Sequence, residues 1–173
     1  MNIHNDILIL RALEPTDLDV LYRWENDEEL WHTSATITPF SRKQLWDYIE
    51  NYDGDIYRHH QLRLIIEVVA TNKAVGTLDL FDFDPVNNRA SVGILIDKEF
   101  QGRGYGKMAM NLFESYCRRY LSINQLSATV ATDNILSLKL FSALEYREVG
   151  IMKWWLKREN EYIDAILFQK KLC

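Results

Sequence analysis

Apolar residues come in two rhythms along this chain, and the changes of rhythm mark its elements. The run Ile7-Leu8-Ile9-Leu10-Arg11 predicts a short strand. Thr16-Asp17 then predicts a helix start, a hydroxyl capping free backbone N–H groups and an acid suiting the dipole. Leu18, Leu21, Tyr22 and Glu25 follow at helical spacing. Ser41 opens a second helix in the same way, with Leu45, Trp46 and Ile49 as its apolar face. Three strands are predicted over 62–69, 75–83 and 90–97, with turns at Thr71-Asn72-Lys73 and Asp84-Pro85-Val86-Asn87-Asn88. They read as an antiparallel meander. A helix runs on to about Tyr120, with Met110, Phe113, Cys117 and Tyr120 on one face. Residues 126–131 form a strand and residues 134–144 a helix with Leu138, Phe141 and Leu144 apolar. Two strands, 146–157 and 161–171, close the chain around the polar turn Arg158-Glu159-Asn160. The order predicts an α/β (α+β) domain with a mixed sheet.

Composition narrows the class. The chain has 173 residues, 47% of them hydrophobic and 26% charged, which suits one packed domain spanning 1–173. A net charge of -5 argues against nucleic-acid binding. Cys117 and Cys173 make no disulfide framework, and His4, His32, His59 and His60 make no zinc spacing, so no metal is expected. His59-His60 reads as a polar loop. With neither a signal-peptide pattern nor an apolar stretch of ~18 residues, a cytoplasmic protein without a membrane span is expected.

Three of the seven glycines, Gly102, Gly104 and Gly106, fall within five residues. They follow the buried run Ile94-Leu95-Ile96 and precede a helix. Strand, glycine loop and helix start together make an anion site, to which Arg103 and Lys107 add formal charge. A phosphate or pyrophosphate is the natural ligand. A Walker A loop is excluded by Gln101 and Met108 at its diagnostic positions. A dinucleotide fingerprint can be threaded through Gly104, Gly106 and Ala109, but no βαβαβ half surrounds it.

At this point the residues resemble a family. Gln101-x-x-Gly104-x-Gly106 matches the Q/R-x-x-G-x-G/A motif of the GNAT superfamily of acyl-CoA-dependent N-acetyltransferases. Asn134-x-x-Ser137-x-x-Leu140-Phe141-x-x-Leu144 resembles its second signature, usually Asn-x-x-Ala-x-x-Leu-Tyr-x-x-x-Gly-Phe. Leu10–Asp17 is similar to the opening of the branch holding ribosomal-protein N-terminal acetyltransferases and bacterial spermidine acetyltransferases. The resemblance implies a GNAT fold, a mixed central sheet of about seven strands flanked by about four helices. It implies acetyl-CoA as cofactor, its pantetheine in a gap between the strands at 92–97 and 126–131. Ile94, Leu95 and Ile96 would offer backbone groups to the pantetheine and thioester. Gln101, Gly102, Arg103, Gly104, Tyr105, Gly106 and Lys107 would hold the pyrophosphate, with Asn134, Ser137 and Phe141 on the other side.

Acetyl transfer to an amine requires removal of a proton, alignment with the thioester and a donor for the developing oxyanion. The Leu95 backbone N–H is the candidate donor. Asp79, a carboxylate within the strand run Gly76–Phe81, is the candidate base; its other reading is a solvent-facing or edge carboxylate. Phe141 stands where the family's tyrosine acid would be, which leaves Tyr146 or water as the acid, or an unassisted thiolate. Glu145 stands where the signature has glycine. Cys117 reads as a core thiol rather than a nucleophile. The acidic run from Glu25 through Asp27 and Glu28 to Glu29, with Trp24 and Trp31, reads either as a cation-binding lip or as a solvated helix end with core tryptophans. Helix stability does not explain the run, because acids disfavour a helix C-terminus. Trp154 and Trp155 are expected to face opposite sides of their strand, one toward the core and one toward an interface, which leaves homo-oligomerisation open. The acceptor is a small-molecule amine, a polyamine among them, or a peptide N-terminus; a CoA-binding sensor without catalysis is the remaining reading.

Overall fold

The computed structural model describes residues 3–31, 38–158 and 160–172. Among them, eight strands form one sheet: β1 (Ile3–His4), β2 (Leu8–Arg11), β3 (Leu62–Val68), β4 (Lys73–Asp84), β5 (Arg89–Ile96), β6 (Gln125–Ala131), β7 (Arg147–Arg158) and β8 (Glu161–Lys171). Their spatial order is β1-β2-β3-β4-β5-β6-β8-β7. All neighbours are antiparallel except β5 and β6. The helices are α1 (Leu18–Glu25), α2 (Glu28–Trp31), α3 (Arg42–Glu50), α4 (Ile56–His59), α5 (Tyr105–Tyr120) and α6 (Ile135–Ala143). The mixed sheet and the predicted meander are both present. Two-residue β1 and the four-residue α2 and α4 come in addition, each too short to leave a periodicity.

Two apolar layers flank the sheet. Met110, Phe113, Cys117 and Phe141 of α5 and α6 pack on one face with Leu64, Ile66, Leu78 and Leu80. Leu21, Trp24, Leu45 and Ile49 of α1 and α3 pack on the other with Ile65. Strand β3 shows why both form: its side chains alternate, sending Leu64 and Ile66 one way and Ile65 the other. Tyr120 and Trp46, expected on buried faces, are instead exposed. Tyr120 is the last residue of α5, its ring tilted against Tyr116 at 5.8 Å between centroids.

The helix starts partly follow expectation. Ser41 caps α3 and accepts from the Gln44 N–H, with Gln44 answering at the Ser41 N–H. At the first helix, a 3-10 turn (Pro15–Asp17) precedes α1 and Thr16 is not the cap. Asp17 accepts from the Glu14 N–H at 2.9 Å while Arg11 clamps its carboxylate. Arg11 also pairs with Glu67, at 2.5 Å, tying β2 and β3 to the helix start.

The expectation for Trp154 and Trp155 is corrected. The pairing of β7 with β8 shifts between Met152 and Leu156, and Trp154 has φ +52°. This bulge breaks the alternation, so both indoles are exposed, at 74% and 59%. Glu159 and Cys173 lie outside the described residues.

Candidate active site

The parallel pairing of β5 with β6 covers only Arg89–Ser91 against Gln125–Ser127. Beyond it β5 continues alongside β4 to Ile96, and β6 alongside β8 to Ala131. The two strands therefore splay, and among the described residues their inner edges have no strand partner from Val92 and Ala128 onward. A cleft of about 1060 Å³ opens there. Ile94 and Leu95 line one wall; Ala128–Ala131, Asn134, Ser137 and Phe141 line the other. Five residues expected at a cofactor (Ile94, Leu95, Asn134, Ser137 and Phe141) come together here with strand β6, from elements distant in sequence.

Asn134 is the cap of α6, accepting from the Ser137 N–H at 3.1 Å, so half of the second signature is also a helix start. Phe141 presents its ring to the cleft and stacks on Phe168 at 5.9 Å. Tyr146 packs edge-on against Phe141, 5.0 Å between centroids, and does not line the cleft. Its buried hydroxyl lies beside Glu114. Burial first, then the Glu114 charge, pushes its pKa up. Burial likewise raises the thiol of Cys117, fully enclosed in the core as expected.

The glycine loop leaves the end of β5 through a 3-10 turn (Lys98–Phe100). Gly102 and Gly104 are left-handed, at φ +75° and +79°, and a Cβ on either would meet nothing within 4 Å. Gly104 is the N-cap of α5, so the free N–H groups of a 16-residue helix begin at this loop. Gln101 donates to the Ile96 carbonyl at 3.0 Å, and Arg103 donates to the Glu99 carbonyl at 3.0 Å and lies over the Phe100 ring. Gln101–Lys107 and Ile96 do not themselves line the cleft; they follow directly from its β5 wall.

The opposite end of the cleft is charged. Asp79 lines it, directly across the ladder from Gly93, which has no side chain to cover it. Both its oxygens are engaged by Arg63, at 2.6 Å from Nε and 3.3 Å from Nη2. Arg63 Nη1 reaches Glu25 at 2.7 Å. Burial works against the guanidinium charge, yet Asp79 and Glu25 together hold its pKa above the ordinary value. Tyr48, beside Arg63, is pushed up to about 12, chiefly by burial.

Sequence reading found Asp79 as a mid-strand carboxylate and missed Arg63. The same signal was present: one charge inside the strand run Leu62-Arg63-Leu64-Ile65-Ile66. Tyr48, Thr77, Lys157 and Arg158 also line the cleft and were not singled out for it, while Trp24, read with the acidic run, does line it.

The acidic run divides. Glu25 and Glu28 face the cleft. Asp27 and Glu29 turn away to Lys98, at 2.9 and 2.7 Å. Glu28 and Glu29 sit in the first turn of α2, where acids suit the dipole, so the run lies at a helix start as well as a helix end. Trp24 is a core residue whose indole donates to buried Asp97 at 2.8 Å. The side chain of Trp31 lies outside the described residues.

Among the described residues no helix is long and apolar enough to cross a membrane, and no cluster could hold a metal ion.

Comparison with known proteins agrees with this geometry. Residues 8–147 match the family described as Acetyltransferase (GNAT) domain. The chain is 28% identical to the uncharacterized N-acetyltransferase p20 of Bacillus licheniformis, over 96% of this chain and 93% of that one. It is 25% identical to the spermidine N(1)-acetyltransferase of Vibrio cholerae, over 84% and 82%. The crystal structure of a Vibrio cholerae spermidine N-acetyltransferase with CoA and spermine superposes with a TM-score of 0.83, at 22% identity and 97% coverage of each chain. A ribosomal alpha-N-protein acetyltransferase in complex with coenzyme A also gives 0.83, at 20% identity, covering 99% and 98%.

Proposed function

The chain belongs to the GNAT acetyltransferase family, and from that premise we propose that it moves an acetyl group from acetyl-CoA to a primary amine of a small molecule, polyamines included, by direct attack in a ternary complex in the cytoplasm. The observation that carries this is the splayed pair β5 and β6, whose unpartnered edges open onto a cleft with carboxylates at its other end. An acyl-pantetheine thread fits that gap, because it needs backbone donors and acceptors along its length. The fit extends to the loop: left-handed Gly102 and Gly104 leave open space above N–H groups at a helix start, which suits a pyrophosphate. Acetyl-CoA supplies a thioester carbonyl to the amine.

The chain's own residues do the rest. Leu95 lines the cleft wall, and its backbone N–H is the donor assigned in this proposal to the developing oxyanion. Gln101–Lys107 hold the diphosphate end, and Asn134, Ser137 and Phe141 hold the thread from the α6 side. An alkyl ammonium of pKa about 10.4 is neutral in roughly one part in a thousand at neutral pH, so a base matters. Asp79 is that base. A carboxylate has about four lone-pair sites, so the two Arg63 contacts leave room for a hydrogen bond from the acceptor amine. Glu25 and Glu28 draw a cationic acceptor into the cleft. Phe141 offers the departing sulfur no proton. A thiol of pKa about 8.5 departs as thiolate at little cost, so none is needed.

One observation favours a second reading, acetylation of a peptide N-terminus. Trp155, Leu156, Lys157 and Arg158 extend the cleft along β7, with cations able to meet a peptide's carbonyls and acids. The bare ring of Phe141 likewise supports the reading of a CoA-binding sensor. Self-association is supported by β7, an edge strand with exposed Trp154 and Trp155.

Incubation with acetyl-CoA and a panel of spermidine, spermine, monoamines, aminoglycosides and short peptides, followed by thiol release, tests the proposal. Turnover is expected with the small amines. Turnover with peptides alone selects the second reading. Tight CoA binding without turnover of any acceptor overturns the enzyme reading in favour of the sensor.

A further inference from the structure

Of the glycines in the sheet, Gly76 on β4 stands apart. A Cβ built there would lie 2.1 Å from the Leu95 carbonyl oxygen, 3.1 Å from its carbon and 3.2 Å from Ile96 Cα. All three are backbone atoms of β5, so no side-chain rotation relieves the clash. Gly93 and Gly106, by contrast, would meet only side-chain atoms at 3.5 Å, an ordinary contact. The φ of Gly76 is not left-handed, so glycine is needed there for space and not for backbone freedom.

The surroundings make that space consequential. Gly76 faces Ile96 and Thr77 faces Leu95 across the β4–β5 ladder. Val75, next to Gly76, is skipped in the pairing with β3, and its carbonyl accepts the Asp97 N–H at 2.9 Å. The Leu95 carbonyl is therefore turned against β4 at a bulged point. On its other side, β5 beyond Ser91 has no strand neighbour among the described residues. Among the strands, β4 alone holds Leu95, and any push from β4 drives Leu95 toward the cleft.

We propose that Gly76 is a positioning residue for acyl transfer: by lacking a side chain it admits the Leu95 carbonyl against β4, and so sets the orientation of the Ile94–Ile96 backbone that faces the thioester. This rests on the reading of that backbone given above. Gly76 does not line the cleft and touches no substrate. It acts through Leu95. Placing a methyl group there displaces Leu95 by about 1 Å, the scale of error that costs on the order of 100-fold in rate.

The test compares Gly76→Ala with Val75→Ala and Gly150→Ala. Val75→Ala trims a fully buried neighbour without entering the space beside Leu95; Gly150 has nothing within 4 Å of an added Cβ. For Gly76→Ala, kcat is expected to fall about 100-fold while the Kd for CoA, governed by the loop, stays within about threefold. Val75→Ala should lose stability but keep kcat, and Gly150→Ala should resemble the parent. A kcat for Gly76→Ala within about threefold of the parent overturns the proposal, as does a kcat loss in Val75→Ala matching its own loss of stability. Should Gly76→Ala not fold, or the parent show no turnover, the 15N-labelled parent decides by titration with acetyl-CoA. The Gly76 amide is expected to shift with those of Leu95 and Ile96. Shifts at Leu95 and Ile96 without one at Gly76 overturn the positioning role. No shift at any of the three overturns the underlying reading of the cleft, and the positioning role with it.

Discussion

Glu145 has a left-handed backbone, φ +63°, at the residue after the α6 C-cap. Its N–H donates to the Ser142 carbonyl and the Tyr146 N–H to the Phe141 carbonyl, both at 3.0 Å, a complete Schellman motif. The motif asks for glycine, and the sequence already marked this position as one where a glycine is missing. Since the side chain is exposed, Glu145→Gly removes strain and no packing. It is expected to stabilise the fold by about 1 kcal/mol, read as a rise of roughly 2–4 °C in Tm. An unchanged or lower Tm would refute this. Asp79 shows the opposite case, a residue legible by type and illegible by partner. Its alternating strand position placed it on one face of the sheet. Only the β3–β4 register, Arg63 opposite Asp79, showed that it is paired. Asp79→Asn is expected to lower kcat/KM by about 10²–10⁴ at neutral pH and by progressively less as pH approaches the amine's own pKa of about 10. A loss that is constant with pH would remove Asp79 as the base.

At the level of elements, turns and caps were the most local features and the most readable. The Asp84–Asn88 turn is one: Asp84 accepts from the N–H groups of Val86 and Asn87, from the Asn87 amide and from Arg89. The Asn87 amide, then its N–H, then Arg89 hold the Asp84 pKa down to about 2. A depressed carboxylate stabilises the fold fully above its unfolded value of about 3.8 and loses that contribution as pH falls through about 2. Asp84→Ala is therefore expected to lower Tm at neutral pH, with the gap to the parent closing between pH 3.8 and 2. A gap that persists at pH 2 would assign the effect to something other than the charge. The glycine loop is the other such element. Gly104→Val puts a β-branched residue at φ +79°, where only glycine is relaxed. It should leave circular dichroism near that of the parent while abolishing CoA binding in calorimetry; retained affinity would place the diphosphate elsewhere. What the pattern left out at this scale was short. The helices α2 and α4 have four residues each, less than the span over which a 3.6-residue period declares itself.

For the molecule as a whole, the deciding feature is a pairing that stops early. Strands β5 and β6 are joined over three residues and then diverge, and the cleft is the space between them. At the far edge, β7 ends the sheet with twelve residues and two exposed indoles. Each indole can contribute on the order of 150–250 Å² to a contact, so the four from two copies bring at most about 600–1,000 Å², the apolar centre of a dimer interface that the rest of the β7 edge would have to complete. Trp154→Ser with Trp155→Ser is expected to lower the sedimentation coefficient of a self-associated parent toward that of the monomer; an unchanged coefficient would place the contact elsewhere.

The order of elements, the buried faces of α5 and α6, the glycine loop and the family were all set by the sequence alone. Each depends on local spacing, or on a motif whose residues are neighbours in the chain. What lies between strands was decided by tertiary structure. The splay of β5 from β6, the Arg63 pair on Asp79, the bulge that exposes Trp154, and the 2.1 Å approach that only Gly76 allows all depend on register and backbone course between segments far apart in sequence. A one-dimensional pattern indicates which face a side chain takes only while the strand or helix stays regular, and it carries no information about which residue stands across from it.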